Sequence, residues 1–340
     1  MSFRGQLRRA GLDSDGDNID IAGALNVRGG LSGLLTQGEV FYLDPADGSD
    51  SYLGKTPGTA FETLLYAETQ MTADQNDTLI YLSGGTSAGI VAVAADHSIT
   101  WDKDFTHLIG VGAPLMNQNR ARFFNSGNTT AGKNMMYISA KGCLFQDLMF
   151  SDGSAVATAY TAEVTGNYNV FNRVTFRGYG HATPAGNSTN YSFKLTGCNL
   201  SEFHNCTFGG TSTKRTADNS VVSFASICSQ LLFKGCMFLS YAEVNTYPIV
   251  KIPTDGIRDW VTFDDCFFYN RWATKADQLL EVFELGTDGT HTSILLKGDS
   301  NFLGCDEWAT GDKGVLWAAS PIGIAGSAGV GSSGAPIEPT

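Results

Sequence analysis

Charge is scarce in this sequence. Only 16% of the 340 residues are Asp, Glu, Lys or Arg, where a globular domain carries about 25%. With 42% hydrophobic residues beside it, that scarcity excludes a disordered chain, which needs low hydropathy and dense charge. Basic residues are the scarcer kind, 22 against 34 acidic ones, for a net charge of −12. Such a chain does not bind nucleic acid by counterion release, so no DNA or RNA partner is expected. No run of 18 apolar residues occurs, so neither a spanning helix nor a membrane partner is expected. The opening MSFRGQLRRAGLDSDGDN has no apolar stretch of the secretory kind, and the chain is read as made in a cytoplasm. The seven cysteines contain no C-x-x-C pair, which removes zinc spacing. In a reducing compartment disulfides are not expected, and the thiols are read as small buried hydrophobes. No cofactor is expected.

What the chain has in quantity is glycine, 40 residues, and phenylalanine, 21. The phenylalanines are organised. Five six-residue phrases share one shape, Phe–four residues–Phe: FQDLMF (Phe145, Phe150), FNRVTF (Phe171, Phe176), FHNCTF (Phe203, Phe208), FKGCMF (Phe233, Phe238) and FDDCFF (Phe263, Phe268). Their second phenylalanines are 26, 32, 30 and 30 residues apart. Two residues before each stands Leu148, Val174, Cys206, Cys236 or Cys266; three before stands Asp147, Arg173, Asn205, Gly235 or Asp265. The phrase is too short for a helix. It fits two strand pieces joined by a bend, with the apolar residue and the last phenylalanine on one face.

A unit of about thirty residues cannot bury such a face alone, whereas stacked units pair their backbones and lay like on like. The expected fold is therefore all-β, a right-handed parallel β-helix, with ten phenylalanines as its core ladder. ILLKGDSNF (294–302) reads as a sixth coil whose phrase is one residue longer. ITWDKDFTHLIGVGAP (99–114) reads as an earlier one, with Ile109 and Val111 alternating. DTLIYLSGG (77–85) reads as the opening strand, and TAFETLLYAETQM (59–71) as a capping helix with Thr59 or Thr63 as its N-cap. The domain is placed at 39–319.

The ends differ. Residues 1–38 are read as an extended arm and 320–340 as a Gly-rich tail, both floppy by composition and both expected to be held by a partner. Arg4, Arg8 and Arg9 in the arm, and Ile322 and Ile324 in the tail, are the candidate partner-binding residues. Asp13, Asp15 and Asp17 alternate as in a calcium loop but lack the bidentate Glu at its twelfth position; a solvated turn is the default, with a metal site as the sharper reading.

The stretch from Val40 to Gly85 resembles the entry segment of pectin-lyase-like β-helix proteins. The resemblance is carried by Asp47-Gly48-Ser49-Asp50, Phe61-Glu62-Thr63-Leu64 and Asp77-Thr78-Leu79-Ile80-Tyr81, with THLIGVG (106–112) similar to a later coil. It extends over residues 40–305 and is specific for fold more than for function. The superfamily includes polysaccharide lyases, glycosidases, and phage tailspikes or virion decorations. Its glycosidase branch implies two carboxylates flanking a bond and motifs Asn-Thr-Asp, Asp-Asp, Gly-His-Gly and Arg-x-Lys. Only Asp264-Asp265 and Gly180-His181 look similar, in the wrong order, and the Asp pair falls on the bend of the ladder. Asp264, Asp265 and His181 are thus weak catalytic candidates. Trp101, Trp260, Trp272, Trp308 and Trp317 are candidates for stacking on sugar.

The resulting expectation is a non-enzymatic virion structural protein, assembled in a host cytoplasm. It is read as a homotrimer that decorates or cements a phage capsid by contact with the major capsid protein or its neighbours. The alternative is a tailspike or tail fibre that binds or cleaves cell-surface polysaccharide.

Overall fold

The computed structural model describes residues 12–15, 18–21, 38–82, 88–89, 97–113, 121–126, 134–157, 160–272, 278–286, 294–309 and 315–318. The chain falls into two units, Met1–Gln37 and Gly38–Thr340. In the first, Leu12–Asp15 pairs antiparallel with Asn18–Ile21, so a stretch read as an extended arm contains a hairpin. Arg4, Arg8, Arg9, Asp17, Ile322, Ile324 and the side chains of Asp13, Asp15 and Trp317 lie outside what the structure describes.

The second unit is a right-handed parallel β-helix. Successive turns of the chain build three parallel sheets, here called first, second and third in the order the chain visits them. Among the described residues they have ten, eight and seven strands. The Phe–Phe phrases run from the first sheet around a corner into the second. Phe145, Phe171, Phe203, Phe233 and Phe263 are in exact-rung register in the first sheet. Phe150, Phe176, Phe208, Phe238 and Phe268 are in register in the second. All ten are fully buried. Successive rings of the first column stack at 4.6–5.0 Å. The two columns meet edge to face, as at Phe203–Phe208, 5.7 Å and 67°, a favoured aromatic geometry. Leu296 lies under Phe263 and Phe302 under Phe268, so the longer phrase of the sixth coil keeps the register.

Two corners repeat a left-handed residue. Between the first and second sheets Asp147, Arg173, Asn205, Gly235 and Asp265 all have φ between 52° and 63°. Asp, Asn and Gly are the residues that tolerate this region. The next apolar position is the cysteine column. Cys206, Cys236 and Cys266 are buried, and each Sγ donates to the carbonyl of the phenylalanine one coil earlier, Phe171, Phe203 and Phe233, at 3.2–3.4 Å. All seven cysteines are free and buried. The corner from the third sheet into the first repeats the device with Phe105, Gly142, Tyr168, Leu200 and Gln230, φ 53–69°.

Three readings of the N-terminal end change. The solenoid opens with Val40–Leu43, which pairs in parallel with Thr78–Leu82, so the DTLIYL strand is the second rung. The helix spans Leu64–Gln70, and Pro57 opens a separate 3-10 turn ahead of it, Pro57–Thr59. Thr63 is the cap: its Oγ1 accepts from Tyr66 N at 3.2 Å, and Asp50 in turn accepts from the N–H groups of Glu62 and Thr63. At the other end Lys103 Nζ donates to the carbonyls of Glu68 and Met71, satisfying groups a helix C-terminus leaves open. Leu64, Ala67 and Met71 join Phe41 and Phe61 in the core. In the strand His107–Val111 it is Leu108 that is buried beneath the phenylalanine column, while Ile109 is half-exposed and Val111 exposed. The alternation is real but its buried phase is the opposite one.

Candidate functional site

Alternation along a strand gives every sheet an outward face, and function must be sought there. On the third sheet the outward column reads Tyr137, Glu163, Lys194, Ser223, Lys251 and Glu284. Glu163 accepts from Lys194 Nζ at 3.0 Å and from Thr196 Oγ1 at 2.7 Å. Lys251 lies 2.9 Å from Glu284 and 3.5 Å from Asp218. On the first sheet the column is Gln146, Asn172, His204, Lys234 and Asp264. Here Lys234 sits 3.8 Å from Asp264, and His204 Nε2 lies 2.7 Å from Glu202. At the bend beside it, Arg173 donates to both oxygens of Asp147, at 2.5 and 2.8 Å, a bidentate pairing that raises the guanidinium pKa.

The second sheet is different. Its outward columns are apolar over consecutive coils: Met237 beside Phe267, and Leu239, Tyr269 and Leu303. With Thr211 they line a shallow groove of about 320 Å³. Phe267 and Tyr269 lie side by side, 6.2 Å apart and 16° from parallel, forming a flat floor. Trp272 stands edge-on to Tyr269 at 6.3 Å. Arg271 lies over the Tyr241 ring at 4.7 Å and donates to Thr211 O at 3.3 Å. A flat aromatic floor with a guanidinium at its rim can stack against a ring and donate hydrogen bonds to it. This is the candidate ligand site.

None of its residues was singled out from the sequence except Trp272. The usable signal was there: Met237-Phe238-Leu239 and Phe267-Phe268-Tyr269 carry large apolar residues on both faces of the strand. The weak catalytic candidates are not brought together. Asp265 is a left-handed bend residue whose Oδ1 accepts from Asp299 N at 2.9 Å. Asp264 faces Lys234. His181 accepts from Thr183 N and caps the short helix Ala182–Ala185, three rungs away from the Asp pair, about 14 Å along the axis. Among the described residues no group of three or more His, Cys, Asp or Glu is placed to hold a metal. Of the tryptophans, Trp101 is buried, Trp308 packs against the core, and Trp260 is exposed.

Two buried polar groups stand out. Asp152 is buried with Oδ2 unpartnered, and burial pushes its pKa up to about 7. Arg215 is fully enclosed, donating from Nε to Asn219 Oδ1 and from Nη1 to Ser240 Oγ, both at 2.8 Å. It ties the loop after the second sheet to the next coil.

No protein-family model matches the chain, and no curated protein matches it in sequence. Solved structures do superpose. A mutant pectin methylesterase in complex with a hexasaccharide is 13% identical, with a TM-score of 0.52; the match covers 85% of this chain and 91% of the enzyme. Pectate lyase Pel9A is also 13% identical, with a TM-score of 0.51 over 78% of this chain; the chain spans 64% of that enzyme's length. A Geobacillus virus E2 protein, ORF18, is 9% identical, with a TM-score of 0.39; the match covers 91% of this chain and 67% of that one.

Proposed function

The fold established, a right-handed β-helix shared with polysaccharide-acting enzymes, is the premise from which we propose that this chain is a non-enzymatic structural protein of a virus particle. It decorates or cements a phage capsid through contacts made by its exterior. The observation that supports this reading most directly is the state of the outward charges. Glu163 with Lys194, Lys251 with Glu284, Lys234 with Asp264, and Arg173 with Asp147 are matched to one another across rungs. They knit coils together and do not converge on a common point where a substrate atom would sit, as acid–base or nucleophilic chemistry requires.

The test is labelling. Antibodies raised against the purified chain are applied to intact particles from the same genome, with gold detection by electron microscopy. Gold distributed over the shell is expected. Gold confined to the tail tip, or none on particles, overturns the reading.

A second reading is favoured by one observation, the aromatic groove of the second sheet. In it the chain is a spike that binds or cleaves cell-surface polysaccharide, with sugar rings on Phe267 and Tyr269 and hydrogen bonds from Arg271. The fold neighbour that holds a hexasaccharide lends it weight. Incubation with host capsule separates the two: retention of the polysaccharide by the chain, or new reducing ends, supports the spike, and neither supports the structural role.

A further inference from the structure

Acidic residues outnumber basic ones in this chain, 34 to 22, so a cation has carboxylates to choose from. Lys194, Lys234 and Lys251, on the other two sheets, take them. Two arginines beside the groove of the second sheet do not. Arg177 donates from Nη2 to Ser212 Oγ at 3.1 Å, and Arg271 from Nη1 to Thr211 O at 3.3 Å. Neither makes an ion pair among the described residues. Glu243, the carboxylate on the neighbouring loop, is held by Lys214 and by the Tyr241 hydroxyl.

The two guanidiniums arrive from opposite directions. The outward column that floors the groove runs Arg177, Gly209, Leu239, Tyr269, Leu303 from coil to coil. Arg177 therefore stands at one end of the floor, beside a position with no side chain. Arg271 starts two coils beyond Thr211 and lies back over the Tyr241 ring to reach it. Thr211 and Ser212 are consecutive, so two positive groups are drawn to within roughly 10 Å of each other, with no carboxylate of the chain paired to either. Each uses one N–H on the loop and keeps the rest of a planar fork that matches a carboxylate.

We propose that this end of the groove binds the carboxylates of an acidic, apolar peptide segment of another protein, laid in extended form along the second sheet. The floor decides the body of the ligand. Leu239, Phe267 and Leu303 offer no hydrogen-bonding side-chain atom, so a sugar ring, with hydroxyls around it, would give up water there and gain few partners. Apolar side chains lose nothing by the same move. Length agrees. Leu239 to Leu303 is two rungs, about 10 Å, which three extended residues span. Residues two apart in an extended peptide face the same way about 7 Å apart, so alternate acids can meet the two guanidiniums while the chain runs on over the floor.

The inference rests on the reading of the exterior as contact surface and names the chemistry of the partner. Its test reads peptide binding, so it can fail while particle labelling succeeds, and the reverse. Overlapping peptides covering the proteins encoded by the same genome are arrayed and probed with the labelled full chain, beside a panel of acidic and neutral oligosaccharides. The expected hits carry Asp or Glu beside Leu, Ile, Met or Phe. Replacing the acids of a hit by Asn or Gln is expected to weaken it about tenfold or more, and Arg177→Gln or Arg271→Gln in the chain does the same. Lys234→Gln, on the first sheet, binds as wild type does. Thermal melts by circular dichroism that coincide with wild type show the variants to be folded. No bound peptide, hits without acids, hits retained by the Arg177→Gln, Arg271→Gln double variant, or binding to oligosaccharide alone overturns the inference. If an arginine variant misfolds, the amide-substituted peptides on the wild-type chain decide.

Discussion

Removing one ring from the middle of the phenylalanine column tests the architecture most directly. Phe203 is fully buried. It stacks on Phe171 at 4.8 Å and on Phe233 at 4.6 Å, and meets Phe193 and Phe208 edge-on at 5.8 and 5.7 Å. Phe203→Ala loses the transfer energy of the ring and leaves a cavity whose walls are backbone ladders locked in register above and below. Such walls relax little, so the cost belongs at the upper end of the range for Phe→Ala, about 5 kcal/mol. The same column supplies its own control. Leu108 and Leu296 occupy this position at its two ends, so Phe203→Leu keeps the rung filled and is expected to cost about 1–2 kcal/mol. Phe124, on the outward face and largely exposed, should lose no more than about 0.5 kcal/mol on truncation to Ala. Guanidinium denaturation of the three variants, monitored by circular dichroism, gives the comparison. Phe203→Ala costing no more than Phe124→Ala would refute the claim that the stack holds the solenoid together.

The cysteine corner predicts that Cys236→Ser is mild, about 1 kcal/mol by denaturation midpoint, because Ser300 fills the same corner one coil past Cys266 and donates to Phe263 O at 3.2 Å; a loss above about 3 kcal/mol would show that the thiol is needed. Cys236 is buried and its pKa stands well above the ordinary thiol value, so iodoacetamide at pH 8 should modify Cys236 only after denaturation, as read by peptide mass; rapid labelling of the native chain contradicts the burial. The carboxyl of Asp152, raised to about 7 by burial, binds a proton in the folded state that the unfolded chain has released above about pH 4. Stability should therefore fall as pH rises from about 4 to 7, by up to about 4 kcal/mol from this group, and Asp152→Asn should remove that part of the decline; an unchanged pH profile in the variant rules the assignment out. In the groove, Tyr269→Ala should leave the denaturation midpoint within about 0.5 kcal/mol of wild type while abolishing any fluorescence change of Trp272 on adding a bound oligosaccharide.

The interior was legible because its signal is repetition. Phe203-x-x-x-x-Phe208 means nothing alone, but five copies at near-constant spacing can be satisfied only by stacking. The residue three before the second phenylalanine could be read as a bend because Asp147, Asn205, Gly235 and Asp265 announce it chemically. The second corner was not legible for the converse reason. Phe105, Tyr168 and Leu200 are the residues that propensity assigns to strands or helices, so the sequence points away from the conformation they adopt. The groove was hidden differently: Met237-Phe238-Leu239 carries large apolar residues on both strand faces, and the pairing register is what puts the half-buried Met237 and the buried Leu239 on the outer one. At the N-terminal end, Thr59 and Thr63 are equally good caps on paper; Asp50, which accepts from the backbone ahead of Leu64, decides for Thr63.

These cases share a cause. In a solenoid each side chain touches its own rung and the rungs either side, so the unit on which packing acts is the column. A column that agrees with its backbone, like the bend of Asp, Asn and Gly or the ring stack of phenylalanine, is accounted for by folding. A column that disagrees with its backbone in several rungs at once is not. Five left-handed residues in line, three of them large and wet, carry a strain of roughly 1–2 kcal/mol for each non-glycine member. The fold shared with a pectin methylesterase therefore says little about what this chain does.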